Sequence, residues 1–150
     1  MENLKLKLTS FAFSDGSEIP RECGYKNGNR RPPLRFNLIP EATKSLALIM
    51  DDPDAMEAVG KVWVHWVAWN ILPTTMFDAS LGAEGMTDFG EVGYGGPAPP
   101  DKRHTYVFKL YALDYKELPC VGGKATKAVV ETAMEGFIIE QTQLTGTYAP

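Results

Sequence analysis

The sequence predicts a mostly β fold of two packed sheets with one or two short peripheral helices. Three observations carry that expectation. Eleven prolines and fourteen glycines in 150 residues demand many turns and exclude a helical bundle. Three segments, Leu46–Met50, Val62–Leu72 and Thr105–Leu113, are apolar runs of strand length. Only about Lys124 to Met134 has convincing helical character. A chain of this length suits one compact domain, residues 1–150, around a single core.

Along the chain, Lys5 to Phe13 is expected as the first strand, and Ser14-Asp15-Gly16-Ser17 as a turn, because Asp-Gly tolerates positive φ. Residues 20–37 read as loop. The unbroken apolar run Leu46–Met50 is expected to be buried on both faces. In Val62–Leu72, strict alternation puts Val62, Val64, Trp66, Ala68 and Asn70 on one face and Trp63, His65, Val67, Trp69 and Ile71 on the other. Both faces are mostly apolar, so the strand should be central. Pro73–Pro100 is a long irregular stretch of the kind that is functional or packed on itself. In Thr105–Leu113, with His104 just before it, His104, Tyr106, Phe108 and Leu110 share a face. Thr126 is a candidate N-cap for the helix, Val129, Ala133 and Phe137 its core side, and Gly136 its end. Ile138–Tyr148 is expected as a closing strand.

Bulk properties exclude several functions. A net charge of −4 with scattered basic residues gives no footprint for nucleic acid, and Trp63, Trp66 and Trp69 lack the basic groove of a base-stacking platform. No apolar run approaches the roughly 18 residues of a membrane span. The alternating Met1–Leu8 does not resemble a signal peptide. The expected location is therefore the cytoplasm, with no stable membrane insertion, where Cys23 and Cys120 stay reduced.

The chemistry concentrates in three segments. Gly93-Tyr94-Gly95-Gly96-Pro97-Ala98-Pro99-Pro100-Asp101-Lys102-Arg103 is a turn-rich run leading into His104-Thr105-Tyr106, whose His and Tyr share a strand face. Asp52 and Asp54 flank Pro53 at the end of a buried strand, either as a simple turn or with Asp52 directed into a cleft to accept a hydrogen bond from an imidazole. His65 lies among the tryptophans, either as a satisfied core histidine or as part of the same cleft. Two histidines, a tyrosine, an aspartate and loop N–H groups suit an anionic oxygen ligand. Two histidines and a carboxylate also match a facial triad in composition, but their spacing carries no metal signature, and no cofactor motif occurs. The glycine run lacks the Gly-Lys-Ser/Thr ending of a P-loop, and Gly-x-Ser-x-Gly is absent.

These segments resemble the phosphatidylethanolamine-binding protein (Raf kinase inhibitor protein-like) family, in its short bacterial and archaeal branch. The matching pieces are Phe13-Ser14-Asp15-Gly16 with Ile19-Pro20, Arg31-Pro32-Pro33-Leu34, Lys44 through Ala55 with its Asp52-Pro53-Asp54, Val62-Trp63-Val64-His65-Trp66, the Gly95-Gly96-Pro97 loop, His104-Thr105-Tyr106-Val107-Phe108, and Leu144-Thr145-Gly146-Thr147-Tyr148. Each is weak alone; their joint order is specific.

The resemblance implies an antiparallel β-sandwich with a small anion pocket at one end, for phosphate, carboxylate or a phospholipid head group. By position, Asp52, Trp63, His65, His104, Tyr106, Gly95, Gly96 and Pro97 match the pocket residues. It implies a non-enzymatic binding protein, and a protein kinase or a serine protease as the partner it would inhibit. Bacterial relatives often form homodimers, for which Met76 and Phe77 are candidate interface residues. Two readings stand beside it: a small hydrolase using His/Asp acid–base chemistry, which lacks an obvious nucleophile, and a protease inhibitor acting through a surface loop. There are departures from the family pattern. Met56 replaces a usual proline, Arg31 a small residue, and Arg103 precedes His104 where the family has His-Arg-Tyr, displacing a structural ion pair. The chain stops at Pro150 without the long C-terminal helix of eukaryotic members, so a more open pocket is expected.

Overall fold

The computed structural model describes residues 5–119 and 121–150. Its strands are β1 (Lys7–Thr9), β2 (Arg35–Asn37), β3 (Ser45–Asp52), β4 (Trp63–Ile71), β5 (Ala83–Glu84), β6 (His104–Leu113) and β7 (Ile138–Tyr148). Two short helices, α1 (Ala55–Val59) and α2 (Lys127–Met134), accompany them. The strands form a two-stranded sheet, β1-β2, and a five-stranded sheet in the order β5-β4-β3-β6-β7, antiparallel throughout. The expected two-sheet, mostly β architecture is therefore present.

Hydrophobic patterning explains the strand order. All eight residues of β3 are buried, as its unbroken apolar run predicts, and β3 lies at the centre of the large sheet. On one face of that sheet Leu48, Met50, Trp66, Phe108 and Leu110 pack with Leu8, Leu34 and Phe36 from the region of the small sheet. On the other, Ala47, Ile49, Val67, Trp69 and Leu113 pack with Val130 and Met134 of α2. Burying the apolar side chains of both faces is the main drive for this layering.

Several boundaries and faces differ from expectation. The first strand pairs only over Lys7–Thr9, against β2, which sits inside the segment read as loop. The three residues of β2 are too few to show a period, although Phe36 is buried between an exposed Arg35 and a half-buried Asn37. Met1–Leu4 and Cys120 lie outside the described residues, so the expectation for the start of the chain and for the second thiol is left there; Cys23 is buried. The helix α1, five residues long, is too short to announce itself by periodicity.

Thr126 does cap α2, its hydroxyl accepting from the Val129 N–H, and Gly136 with φ of +85° follows the helix end. Of the expected core side, Ala133 and Phe137 do pack, partly buried, against the core beneath, but Val129 is 42% exposed and the fully buried residues are Val130 and Met134. Of the two residues offered for an interface, Phe77 is half-buried and packs edge-on against Trp66, and Met76 is exposed.

The alternation expected of β4 fails twice. Between the pairs Met50–Trp66 and Asp51–Val64, β3 advances one residue and β4 two, leaving His65 as the extra residue of a bulge. A second extra residue falls between Ala68 and Ile71, where Asn70 takes φ of +53°. As a result Trp66, Ala68 and Ile71 share one core while Val64, Val67 and Trp69 serve the other. β6, in contrast, pairs without interruption from His104 to Ala112 and keeps its predicted faces.

Candidate functional site

The bulge at His65 is stitched to the glycine-rich loop. The Gly95 N–H donates to the His65 carbonyl at 2.8 Å, and the His65 Nδ1–H donates to the Gly95 carbonyl at 2.6 Å. A carbonyl oxygen only accepts, so Nδ1 must carry the proton. Burial pushes the His65 pKa down to about 4, against smaller opposing pulls from hydrogen bonds to Gly95 and Gly96. The ring is therefore neutral near pH 7, and its Nε2 is a bare acceptor.

The next residue along the loop explains its glycine by close approach. The Gly96 N–H donates to Asn29 Oδ1 at 2.7 Å, and a Cβ there would fall 1.9 Å from the Cys23 carbonyl oxygen. The Pro97 carbonyl accepts from the Tyr25 N–H at 2.9 Å. The loop expected to present N–H groups to a ligand thus commits those of Gly95 and Gly96 to the protein itself.

His104 opens β6 and is fully buried. Its Nδ1 lies 2.6 Å from Asp52 Oδ2 and its Nε2 lies 2.7 Å from Asp101 Oδ1. Two carboxylate acceptors require both ring nitrogens to donate, which is the imidazolium form. Burial opposes that charge, but the hydrogen bonds to Asp52 and Asp101 outweigh it and the His104 pKa is raised. Burial also pushes the Asp52 carboxyl up, while the His104 hydrogen bond pulls it down. The second aspartate of the Asp-Pro-Asp turn serves the backbone instead. Asp54 Oδ2 accepts from the Thr105 N–H at 2.8 Å, and the Asp54 N–H donates to Asp52 Oδ1 at 3.0 Å. The turn thereby fixes both Asp52 and the start of β6.

These elements enclose a cavity of about 220 Å³. Asp52, Trp63, His65, His104 and Tyr106 line it, so five of the eight residues singled out in the sequence meet there. Gly95, Gly96 and Pro97 do not; the loop's contribution to the wall is Ala98 and Pro100. The remaining lining is Phe89 with Ala55, Ala58 and Val59 of α1. Phe89 bridges the aromatic wall, edge-on to both Trp63 and His65 and stacked at 4.0 Å on Tyr25.

Two of the lining residues, Trp63 and Tyr106, each carry a buried polar atom. Trp63 Nε1 is buried and has no hydrogen-bond partner among the described residues, and the buried Tyr106 hydroxyl makes no close hydrogen bond there, with the Asp52 carboxylate and the Ala98 backbone its nearest polar neighbours. Burial, then the nearby Asp52 carboxylate, hold the Tyr106 hydroxyl firmly protonated. Both groups are therefore neutral donors. With its two N–H groups committed, His104 has no lone pair for a metal, and among the described residues no group of three His, Cys, Asp or Glu side chains is arranged to hold one.

Sequence reasoning missed Phe89, α1 and Asp101. The first two carry no local signature. Asp101 stands three residues before His104 and could have been noticed by that spacing. The two charged departures are resolved locally: Arg31 pairs with Glu84, which also accepts from Trp66 Nε1, and Arg103 makes an exposed pair with Glu18.

The fold and the cavity, apolar over most of its surface with Asp52, His65 and His104 among its lining, define a β-sandwich binding domain. The phosphatidylethanolamine-binding protein family model matches residues 9–149, and the chain belongs to that family. It is 40% identical over 149 residues to a UPF0098 protein of Chlamydia muridarum, covering 95% of this chain and 98% of that one. A UPF0098 protein of the archaeon Methanothermobacter thermautotrophicus is 39% identical over 155 residues, with the same coverage. These relatives place it in the bacterial and archaeal branch. Among solved structures, the phosphatidylethanolamine-binding protein homolog CT736 of Chlamydia trachomatis superposes with a TM-score of 0.89 at 36% identity, covering 97% of this chain and 98% of that one. E. coli YbcL superposes at 0.87 and 31% identity, covering 96% and 98%. Carboxypeptidase Y inhibitor, at 16% identity, shares the fold alone. Among the described residues no helix is long and apolar enough to cross a membrane.

Proposed function

We propose that the chain is a non-enzymatic binding protein whose cavity holds a small oxyanion: phosphate, a carboxylate or a phosphorylated head group. The observation that carries this reading is that two residues lining the cavity, Trp63 and Tyr106, hold buried donors that make no close hydrogen bond among the described residues. A buried donor without a partner costs about 1–3 kcal/mol, and a ligand oxygen that accepts from it recovers that energy. The cavity is too small for a drug-sized molecule but large enough for a tetrahedral or planar oxyanion. Fixed neutral donors in a low-dielectric wall are an effective cradle for such a group.

This reading alters the division of labour expected from the sequence. His104 serves as a buried strut between Asp52 and Asp101, and His65 is held by Gly95, so neither is the principal donor. The test is a titration with inorganic phosphate and with phosphoethanolamine, followed by NMR. The Trp63 indole N–H should shift and saturate at millimolar ligand. Trp63→Phe combined with Tyr106→Phe should abolish binding while the fold persists. If neither the indole nor either imidazole responds to either ligand, the reading is wrong.

A further inference from the structure

We propose that residues 98–103 form a proton-controlled flap: a doubly protonated His104 ring latches the segment shut through Asp101, and loss of one proton from that ring releases it. This control does not depend on which ligand the cavity takes. Ala98 and Pro100 line the cavity on one side and, on the other, a groove of about 280 Å³ that Arg21, Lys26 and Asn27 also line. The segment is therefore a partition, and its release opens the cavity towards a cationic groove.

Little else secures the segment. Just before it, the Pro97 carbonyl accepts from the Tyr25 N–H at 2.9 Å; just after it, the Thr105 N–H donates to Asp54 Oδ2 at 2.8 Å. Between these fixed points, residues 98–103 make no backbone–backbone hydrogen bond among the described residues, and Pro99 and Pro100 have no N–H to give. The ties of Lys102 to Glu57 at 2.9 Å and of Arg103 to Glu18 at 3.4 Å are exposed to solvent and hold weakly. The tie from Asp101 Oδ1 to His104 Nε2, at 2.7 Å, is the one that reaches a fully buried group.

That tie requires a proton that can leave. An imidazolium donates from both nitrogens, to Asp52 Oδ2 and Asp101 Oδ1; a neutral ring has a single N–H, so one carboxylate must then face a lone pair. Asp52 keeps the remaining N–H, because its side chain is only 4% exposed and its Oδ1 already accepts from the Asp54 N–H. Asp101 is 38% exposed on a loop, so water can replace the ring as its partner. No neighbouring group takes over the latch. Asp54 is committed to Thr105, Lys102 and Arg103 turn to Glu57 and Glu18, and Asp51 faces the other side of the sheet towards Lys109 and Lys127. Tyr106 and His65 are neutral, and Tyr148, opposite His104 on β7, donates its hydroxyl proton to the Arg21 carbonyl. Burial opposes the charge on His104, but its two carboxylate hydrogen bonds outweigh that, so release comes above the ordinary imidazole value of 6.5.

The test follows the His104 ring and the backbone amides of the ligand-free full chain by NMR, from pH 6 upwards. Relaxation of the Asp101, Lys102 and Arg103 amides should report loss of rigidity with the same midpoint as the ring titration. The Gly95 and Thr105 amides, tied to His65 and Asp54, should stay rigid throughout. Asp101→Asn is the decisive variant: its amide accepts from Nε2–H below the midpoint and donates to the bare Nε2 above it, so the segment should stay rigid on both sides. Asp101→Ala should leave the segment mobile at every pH. Wild-type amides that stay rigid through the ring titration, or are already mobile below it, overturn the proposal. A ring that keeps both protons until the chain unfolds also overturns it, as does an Asp101→Asn segment that loosens with the wild-type midpoint.

Discussion

Asp51 and Asp52 are neighbours on β3, both buried, yet they face opposite sides of the sheet and belong to different kinds of site. Asp51 Oδ2 is met by two lysines, Lys127 of α2 at 2.7 Å and Lys109 of β6 at 3.3 Å. Asp52 Oδ2 is met by an imidazole at 2.6 Å, which a second carboxylate holds from its other side. The first arrangement ties a helix to a sheet through two lysines. The second makes its charge depend on a proton and lines the cavity beside Trp63 and Tyr106, whose buried donors make no close hydrogen bond among the described residues. Burial alone therefore does not mark a functional carboxylate. The nature of its partner, and unmet hydrogen-bonding capacity next to it, do.

The severest challenge to this contrast is to strip Asp51 of both lysines. Lys109→Met with Lys127→Met leaves a buried carboxylate unpaired and should cost about 3–5 kcal/mol in urea denaturation. Phosphate binding at the cavity should persist under conditions where the variant is folded, because the two sites face opposite sides of the sheet.

A smaller effect separates the two histidines by pH. The His65 pKa is depressed to about 4, so its contribution is complete above the ordinary value of 6.5 and disappears as pH falls from 6.5 towards 4. That loss amounts to about 3 kcal/mol in all. The His104 pKa is raised, so its contribution is complete below 6.5 and is lost as pH rises through the raised native value. An NMR titration of the two rings should find His65 unprotonated down to about pH 4 and His104 still charged above 6.5; the reverse order would sink the assignment of charges.

The least costly pair of substitutions addresses the helix that carries Lys127. Val130→Ala should cost about 2 kcal/mol for the buried methyl groups removed, whereas Val129→Ala should stay within about 0.5 kcal/mol. Equal costs by thermal or urea denaturation would mean that α2 presents a different face.

How far the sequence reached depended on the range of the physical cause. β6 was legible because its pattern and pairing are regular from His104 to Ala112. Thr126 was legible as a cap because capping is settled within four residues. The faces of β4 were not, since each bulge is visible only as unequal spacing against β3. On α2, Ala133 and Phe137 pack on the expected side, but Val130 is buried in place of Val129, because the two are equally apolar and only the sheet beneath selects between them.

From the linear chain came the class of fold, its central strands, its family resemblance and five residues that meet at the cavity. Alternation, unbroken apolar runs and turn residues are local properties that a linear reading can see. Which polar groups are committed and which are left over emerged with the folded arrangement alone. Gly95 gives both its backbone groups to His65, Asp101 and Asp52 claim both nitrogens of His104, and Trp63 and Tyr106 keep donors with no close hydrogen bond among the described residues. Hydrogen-bond satisfaction is set by atoms brought together from distant segments, and residue types alone do not show which donors will find acceptors.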